Sequence, residues 1–281
     1  MKMKVIESIP QMRTWCEQNS AKKIALVPTM GFLHEGHLSL IRIARQQAEI
    51  VVVSIFINPT QFAQGEDLDT YPRDFTRDKK LCELESVDLI FTPSNQEMYP
   101  TNHKTYVITE ELSGILCGES RPSHFRGVTT VVAKLFNIIQ PNIAIFGQKD
   151  AQQAVILKRM VQDLNFNLEI QIAPIIREND GLAMSSRNKY LSPVQRKEAA
   201  ILQKSLQLAR SEFKHGNLDF EQTKNKMIHM IQDNSSALID YISFTDASSL
   251  ASVQDDTRSI LVALAVYFGQ TRLIDNIILN K

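Results

Sequence analysis

Residues Ile50 to Ile57 read Ile-Val-Val-Val-Ser-Ile-Phe-Ile, apolar at odd and even positions alike. Successive side chains of a strand face opposite sides of a sheet, so such a strand needs cover on both faces. That is the situation of a central strand in a parallel sheet sandwiched between helices. Shorter runs of the same kind occur at Ile24–Val27, Asp88–Phe91, Ile143–Phe146 and Leu168–Ala173. Between them lie helix-period patterns over 38–48, 74–85, 128–139 and 152–164. The clearest has apolar residues at Val128, Val131, Val132, Leu135, Phe136 and Ile139. Strands alternating with helices predict right-handed crossovers and a doubly wound, parallel-sheet (Rossmann-like) α/β domain. Ligands of such sheets bind beyond the carboxyl ends of the strands.

After about residue 176 the texture changes. Ser192-Pro193 reads as a capped helix start, with a long helix to about Lys214. His215-Gly216-Asn217 stops it, a second helix follows over 219–232, and strand-like runs cover 239–244 and 260–268. The expected organisation is a Rossmann-like domain over 1–176 and a smaller α+β domain over 177–281.

Composition narrows the partners. Lys plus Arg equals Asp plus Glu, 31 each, so there is no basic excess of the kind a polyanion binder shows, and nucleic acid is not expected as a partner. No apolar run approaches the roughly 18–20 residues of a membrane helix, so no membrane partner is expected. The two lysines in the first four residues lack the apolar stretch of a signal peptide behind them. Cys16, Cys82 and Cys117 are odd in number and widely spaced, as reduced thiols in the cytoplasm would be.

Four segments at the expected strand ends carry polar chemistry. Pro28-Thr-Met-Gly31-Phe-Leu-His34-Glu-Gly36-His37 joins a strand to a helix, where N–H groups and the helix dipole favour an anion. Its two glycines have P-loop spacing, but His37 and Leu38 stand where that motif needs Lys and Ser or Thr. A histidine at a helix start can donate to a phosphate, whose charge favours the protonated ring; a packed surface histidine or a two-histidine metal pair would look the same at this stage. Asn58-Pro59-Thr60-Gln61 follows the buried strand and reads either as a small-substrate contact or as an Asn-Pro turn. Gly147-Gln148-Lys149-Asp150, with Gln152-Gln153 beyond, offers a close approach, a point charge and a ribose acceptor, or simply a capped helix start. Arg177 to Asn188, containing Gly181 and Met184-Ser185-Ser186-Arg187, suits a triphosphate tail or is a solvated interdomain loop.

Taken together the segments VPTMGFLHEGHLSLI, INPTQF, YPRDFTRD, MYP, RPSHFRGVTTVVAKLFNIIQP, FGQKDAQQ and RENDGLAMSSRNKYL resemble the pantoate–β-alanine ligase (pantothenate synthetase) family, within the HIGH-type nucleotidyltransferases. They span about residues 24–191. The last ninety residues match more loosely, at Asp240-Tyr241 and Arg272–Asn276. Phe32, Gln148 and Asn142 stand where Ala, Glu and Asp are common; backbone amides near 32 and 148 could bind regardless.

The resemblance implies ATP-dependent joining of (R)-pantoate to β-alanine through a pantoyl-adenylate, with AMP and pyrophosphate released. It implies catalytic roles for His34, His37 and Lys149. ATP would meet Met30, Gly31, Phe32, Leu33, His34, Glu35, Gly36 and His37, and also Gly147, Gln148, Lys149, Asp150 and Ile176. Met184, Ser185, Ser186 and Arg187 would form a mobile loop closing over the phosphates. Pantoate would meet Gln61, Gln153 and Arg121, and β-alanine Gln61. Magnesium would come with ATP, without protein ligands that can be named, and the enzyme would be a homodimer. Two rival readings are another HIGH-type adenylyltransferase and a non-catalytic nucleotide sensor on the same fold.

Overall fold

The computed structural model describes residues 2–281. Its elements in order are β1 (Lys4–Ile6), α1 (Ile9–Gln18), β2 (Ile24–Thr29), α2 (Glu35–Gln47), β3 (Ile50–Ile55), α3 (Phe75–Leu84) and β4 (Leu89–Phe91). Then come α4 (Asn95–Met98), α5 (Cys117–Ser120), α6 (His124–Ile139), β5 (Ile143–Gly147), α7 (Ala151–Asp163) and β6 (Glu169–Ala173). The chain closes with α8 (Pro193–Glu198), α9 (Ile201–Lys214), α10 (Phe220–Asn234), β7 (Leu238–Asp246), β8 (Ser259–Phe268) and β9 (Thr271–Asn280). Two compact units result: 1–147 with 156–174, and 148–155 with 175–281.

The first unit holds a six-stranded sheet in the order β1-β4-β3-β2-β5-β6, parallel at every pairing. Period-two alternation divides its strands between two apolar layers. Leu26, Val52, Leu89, Phe91 and Ala144 pack with α1 and α6, including Met12, Trp15 and Phe136. Ala25, Val27, Val51, Val53 and Ile145 pack on the other face with Leu38, Ile41 and Ala44 of α2 and Cys82 of α3. At about 1.5–3 kcal/mol for each fully buried aliphatic side chain, these layers dominate the unit's stability.

The strand order places β3 and β4 on one side of β2 and β5 and β6 on the other. The chain therefore reverses direction across the sheet between β2 and β5, which is the switch point where such sheets bind ligands. The β2–β5 register is Ala25↔Ile143 and Leu26↔Ala144, ending before Pro28, which has no N–H to give a neighbour. The β2–β3 register continues to Thr29↔Ile55.

The second unit packs α8, α9 and α10 on the antiparallel sheet β7-β8-β9. Ile260, Val262, Leu264, Val266 and Phe268 alternate toward Leu202, Leu206, Met227 and Ile231. The unit reaches back for residues 148–155, so Lys149, Asp150 and Gln153, expected in the first domain, are grouped with the second. Asn276 of β9 ties down the start of this segment: its Nδ2 donates to the carbonyls of Gln148 and Lys149, both at 3.0 Å, and its Oδ1 accepts from Gln148 Nε2 at 3.1 Å. Sequence reading also missed β1, α1 and β9. The long helix expected from Ser192 is interrupted at Ala199-Ala200 into α8 and α9.

Beside Asn276, Asp275 is buried and takes both guanidinium nitrogens of Arg177, at 2.6 and 2.9 Å. Removing one partner of such a pair strands the other's charge, a loss of about 3–5 kcal/mol. Arg177→Met should therefore lower the urea midpoint of unfolding by that order of stability; an unchanged midpoint would mean the pair is not holding the 177–183 segment to β9.

Candidate functional site

Gly31 and Phe32 follow β2 with φ of +81° and +51°. Glycine tolerates the left-handed region, and a Cβ on Gly31 would come within 3.0 Å of Asp78 Oδ2 and of Ile55 Cγ2. Phenylalanine does not, at a cost of about 1–3 kcal/mol. The turn is held from α3. Asp78 Oδ2 accepts from the N–H of Phe32 and Oδ1 from that of Leu33, each at 2.7 Å. Arg77 Nη1 donates to the Leu33 carbonyl at 2.8 Å, and its guanidinium lies 5.4 Å from the Phe32 ring centre. Two bonds to a carboxylate, at about 1.5–3 kcal/mol each, outweigh the strain of one left-handed residue.

The amides of Phe32 and Leu33 are engaged by Asp78. Leu33 is fully buried with both backbone groups bonded. The Glu35 carboxylate pairs with Arg42. The anion site that remains is the start of α2, where the N–H groups of Glu35 and Gly36 have no acceptor within the helix.

His34 caps α2 and His37 stands in its first turn, the ring centres 4.1 Å apart. The His34 N–H points at His37 Nδ1 at 3.4 Å. A proton on Nδ1 would meet that amide head-on, so the geometry favours the tautomer with its proton on Nε2. Nε2 of His37 is then the nitrogen able to donate to a ligand.

After β3, residues Pro59–Gln61 form a 3₁₀ turn capped by Asn58. Buried Asn58 accepts at Oδ1 from Tyr99 Oη at 2.8 Å and from Thr60 Oγ1 at 2.9 Å. Burial pushes the Tyr99 hydroxyl up to about 12, which keeps it a donor. The Asn58 amide therefore turns its N–H₂ to Gln61 Oε1 at 3.1 Å and to the Gly127 carbonyl at 3.0 Å. With its oxygen occupied, Gln61 has its N–H₂ as the working end, 3.1 Å from Met30 Sδ. A carboxylate is the ligand that such an end suits.

Arg121, expected to serve pantoate, is otherwise engaged. Its guanidinium meets both Glu66 oxygens, at 2.6 and 2.7 Å, and reaches the Gln61 carbonyl at 3.4 Å. Burial alone would raise the Glu66 carboxyl, but the Arg121 bonds and charge bring it below the ordinary value. In this structure Arg121 anchors the loop through Glu66 and the Gln61 carbonyl.

In the second unit, Gln148–Asp150 form a 3₁₀ turn ahead of α7, with Gln153 half-buried one turn on. Lys149 Nζ lies 3.6 Å from Asp150 Oδ1. Ile176 and Met184, both expected at adenine, are joined by the bond from Met184 N to the Ile176 carbonyl at 3.0 Å. Ser185 Oγ accepts from Arg187 N at 3.2 Å, and Ser186 is buried. The flanks of this loop carry several polar contacts. Asn188 donates to Glu178 Oε1 at 2.7 Å and to the Ala183 carbonyl at 3.1 Å, while Arg196 bridges Glu178 and Asp180. Among the described residues no three His, Cys, Asp or Glu side chains gather as a metal cage.

Asp78, Tyr99, Glu66 and Asn276 escaped sequence reading as site-building residues. Asp78 left one usable signal: it stands four residues before buried Cys82 on α3, a charge on the apolar face.

A doubly wound sheet with an HxGH turn at its switch point places the first unit among the nucleotide-binding α/β folds. The chain belongs to the pantoate–β-alanine ligase family, whose model matches residues 4–278. It is 54% identical to the pantothenate synthetase of Acetivibrio thermocellus over 280 residues, 99% of this chain and 100% of that one. Identity to the Thermotoga petrophila pantothenate synthetase is 53% over the same shares. The crystal structure of the Thermus thermophilus pantothenate synthetase superimposes with a TM-score of 0.93 at 39% identity, covering 98% of this chain and 99% of that one. A Francisella tularensis pantoate–β-alanine ligase complexed with beta-gamma ATP and β-alanine gives 0.80 at 36% identity, covering 98% and 97%.

The orientation of Gln61 depends on how closely α6 approaches. A Cβ on Gly127 would lie 2.4 Å from the Thr60 carbonyl oxygen and 2.6 Å from Gln61 Cα. Gly127→Ala should cost about 1–3 kcal/mol through overpacking and displace the 3₁₀ turn. The KM for pantoate should rise while that for ATP holds; unchanged stability and an unchanged pantoate KM would contradict this packing.

Proposed function

We infer that the chain ligates (R)-pantoate to β-alanine with cleavage of ATP, through a pantoyl-adenylate, releasing AMP and pyrophosphate. The observation that carries this reading is the family match, which runs from residue 4 to residue 278. In the first step a pantoate carboxylate oxygen bonds to the α-phosphorus and the bond to pyrophosphate breaks. In the second, the β-alanine amine attacks the acyl carbon, loses a proton, and AMP leaves with the carboxylate oxygen.

No protein nucleophile is needed for either step; the protein's task is orientation and charge. We assign His37 Nε2–H and the free N–H groups at the start of α2 to the phosphates, with His34 supporting His37. Gln61 takes pantoate through its N–H₂, next to β-alanine, and Gln153 is a second pantoate ligand. Lys149, Ser185, Ser186 and Arg187 hold the triphosphate, Gly147 and Asp150 the ribose, and Ile176 and Met184 the adenine. Magnesium would arrive with ATP and would neutralise phosphate charge there. The resemblance supports a cytoplasmic homodimer; no described helix is long and apolar enough to cross a membrane.

The test is pantoate-dependent exchange of labelled pyrophosphate into ATP, which a sensor or an unrelated adenylyltransferase would not catalyse. Lys149 sharpens it. If Lys149 grips the departing pyrophosphate, Lys149→Ala should lose about 100-fold or more in exchange. Yet the variant should make pantothenate from preformed pantoyl-adenylate and β-alanine at close to the wild-type rate. Equal losses by both routes would remove Lys149 from the phosphate site.

A further inference from the structure

The acid that holds the HxGH turn is a costly way to hold it. Asp78 is 1% exposed, on a helix face where four residues later Cys82 is fully buried. Burial raises the Asp78 carboxyl, and the N–H bonds from Leu33 and Phe32 and the charge of Arg77 only partly offset that. An apolar residue at 78 would pack on the same face without desolvating a charge, and replacing buried charge by apolar side chains is often neutral or stabilising. Its geometry shows what the carboxylate supplies instead. Its two oxygens take two consecutive N–H groups, one on either side of the Phe32 carbonyl carbon. That arrangement fixes the left-handed backbone of Phe32 at φ +51° and the direction in which the chain leaves Leu33. The next residue is His34, whose N–H in turn orients His37 Nδ1. Asp78 also lines a cavity of about 480 Å³, together with Met30, Gly31, Phe32 and Asn95, but neither histidine nor Gln61 does. The carboxylate thus grips the turn at Phe32 and Leu33, ahead of the histidine pair in the chain.

We propose that Asp78 is a positioning residue for adenylate formation, acting through Phe32 and Leu33 to set the placement of His34 and His37, with Arg77 as its auxiliary on the Leu33 carbonyl. This rests on the functional reading above. A misplacement of catalytic groups by about 1 Å can cost on the order of 100-fold in rate without changing what binds.

The experiment uses the full chain. Asp78→Asn keeps the shape but offers one acceptor and one N–H₂, so one of the two loop amides faces a donor. In pantoate-dependent pyrophosphate exchange its kcat should fall about 10- to 100-fold, with KM for ATP and pantoate within about twofold of wild type. Given preformed pantoyl-adenylate and β-alanine, the same variant should run at close to the wild-type rate. In a His37→Ala background the Asp78→Asn change should cost no more than about threefold, because the group it positions is gone. Equal losses in the two half-reactions, a KM effect without a kcat effect, or the full loss persisting in the His37→Ala background would each overturn the proposal. If Asp78→Asn does not fold, Arg77→Met, which alters a half-exposed side chain, replaces it in the same three measurements. About threefold is then expected in exchange kcat, absent in the His37→Ala background, and an unaltered kcat overturns the proposal. A wild-type chain without exchange would sink the functional reading itself; an active wild type with a fully active Asp78→Asn sinks only this inference.

Discussion

The parallel pairing of β2 between β3 and β5 is the constraint on which the first unit's chemistry depends. Because the chain reverses across the sheet there, the turn leaving β2 lies at the switch point of the sheet instead of being buried beside a continuing ladder. The pairing exists because β2 and β3 are apolar on both faces and have helices to cover them. Alternate residues enter two separate apolar layers, and neither layer would close without the other. A polar substitution at Leu26 or Val27 would therefore disturb the turn after β2 through the sheet.

Both units fix a loop backbone with a buried polar side chain, and they do so with opposite signs. In the first, the Asp78 carboxylate collects N–H groups from the turn after β2. In the second, the Asn276 amide donates to the carbonyls of Gln148 and Lys149, while neighbouring Asp275 holds Arg177. A hydrophobic contact is non-directional and could not set the peptide planes at these points; a hydrogen bond can. Stability and positioning thus come from different residues. The apolar layers supply most of the free energy, and a few buried polar groups give up part of it to fix geometry.

That division explains what could be read from the sequence. The strand from Ile50, the stripe on α6 and the polar loops at strand ends follow from local periodicity, and local periodicity is visible in one dimension. The His34 and His37 turn and the Gln61 segment were found because they follow such strands, and the family resemblance gave them roles. β1 is three residues long, too short to show a period. β9 hid because Asp275 and Asn276 interrupt its apolar alternation, and the partners that justify them lie 98 and 127 residues away. Asp78 looked like one more charge on a charged helix. The partners of Leu33 and Arg121 were hidden for the same reason: Asp78 and Glu66 lie 45 and 55 residues away in the sequence.

The central claim is that the pantoate carboxylate attacks the α-phosphorus of ATP and is later displaced by β-alanine. Pantoate labelled with ¹⁸O in its carboxylate tests this directly, with the products analysed by mass spectrometry after a complete turnover. One labelled oxygen should appear in AMP for each pantothenate formed, with none in pyrophosphate. Label recovered in inorganic phosphate, or AMP released without label, would contradict the adenylate route and the roles assigned to the residues around it.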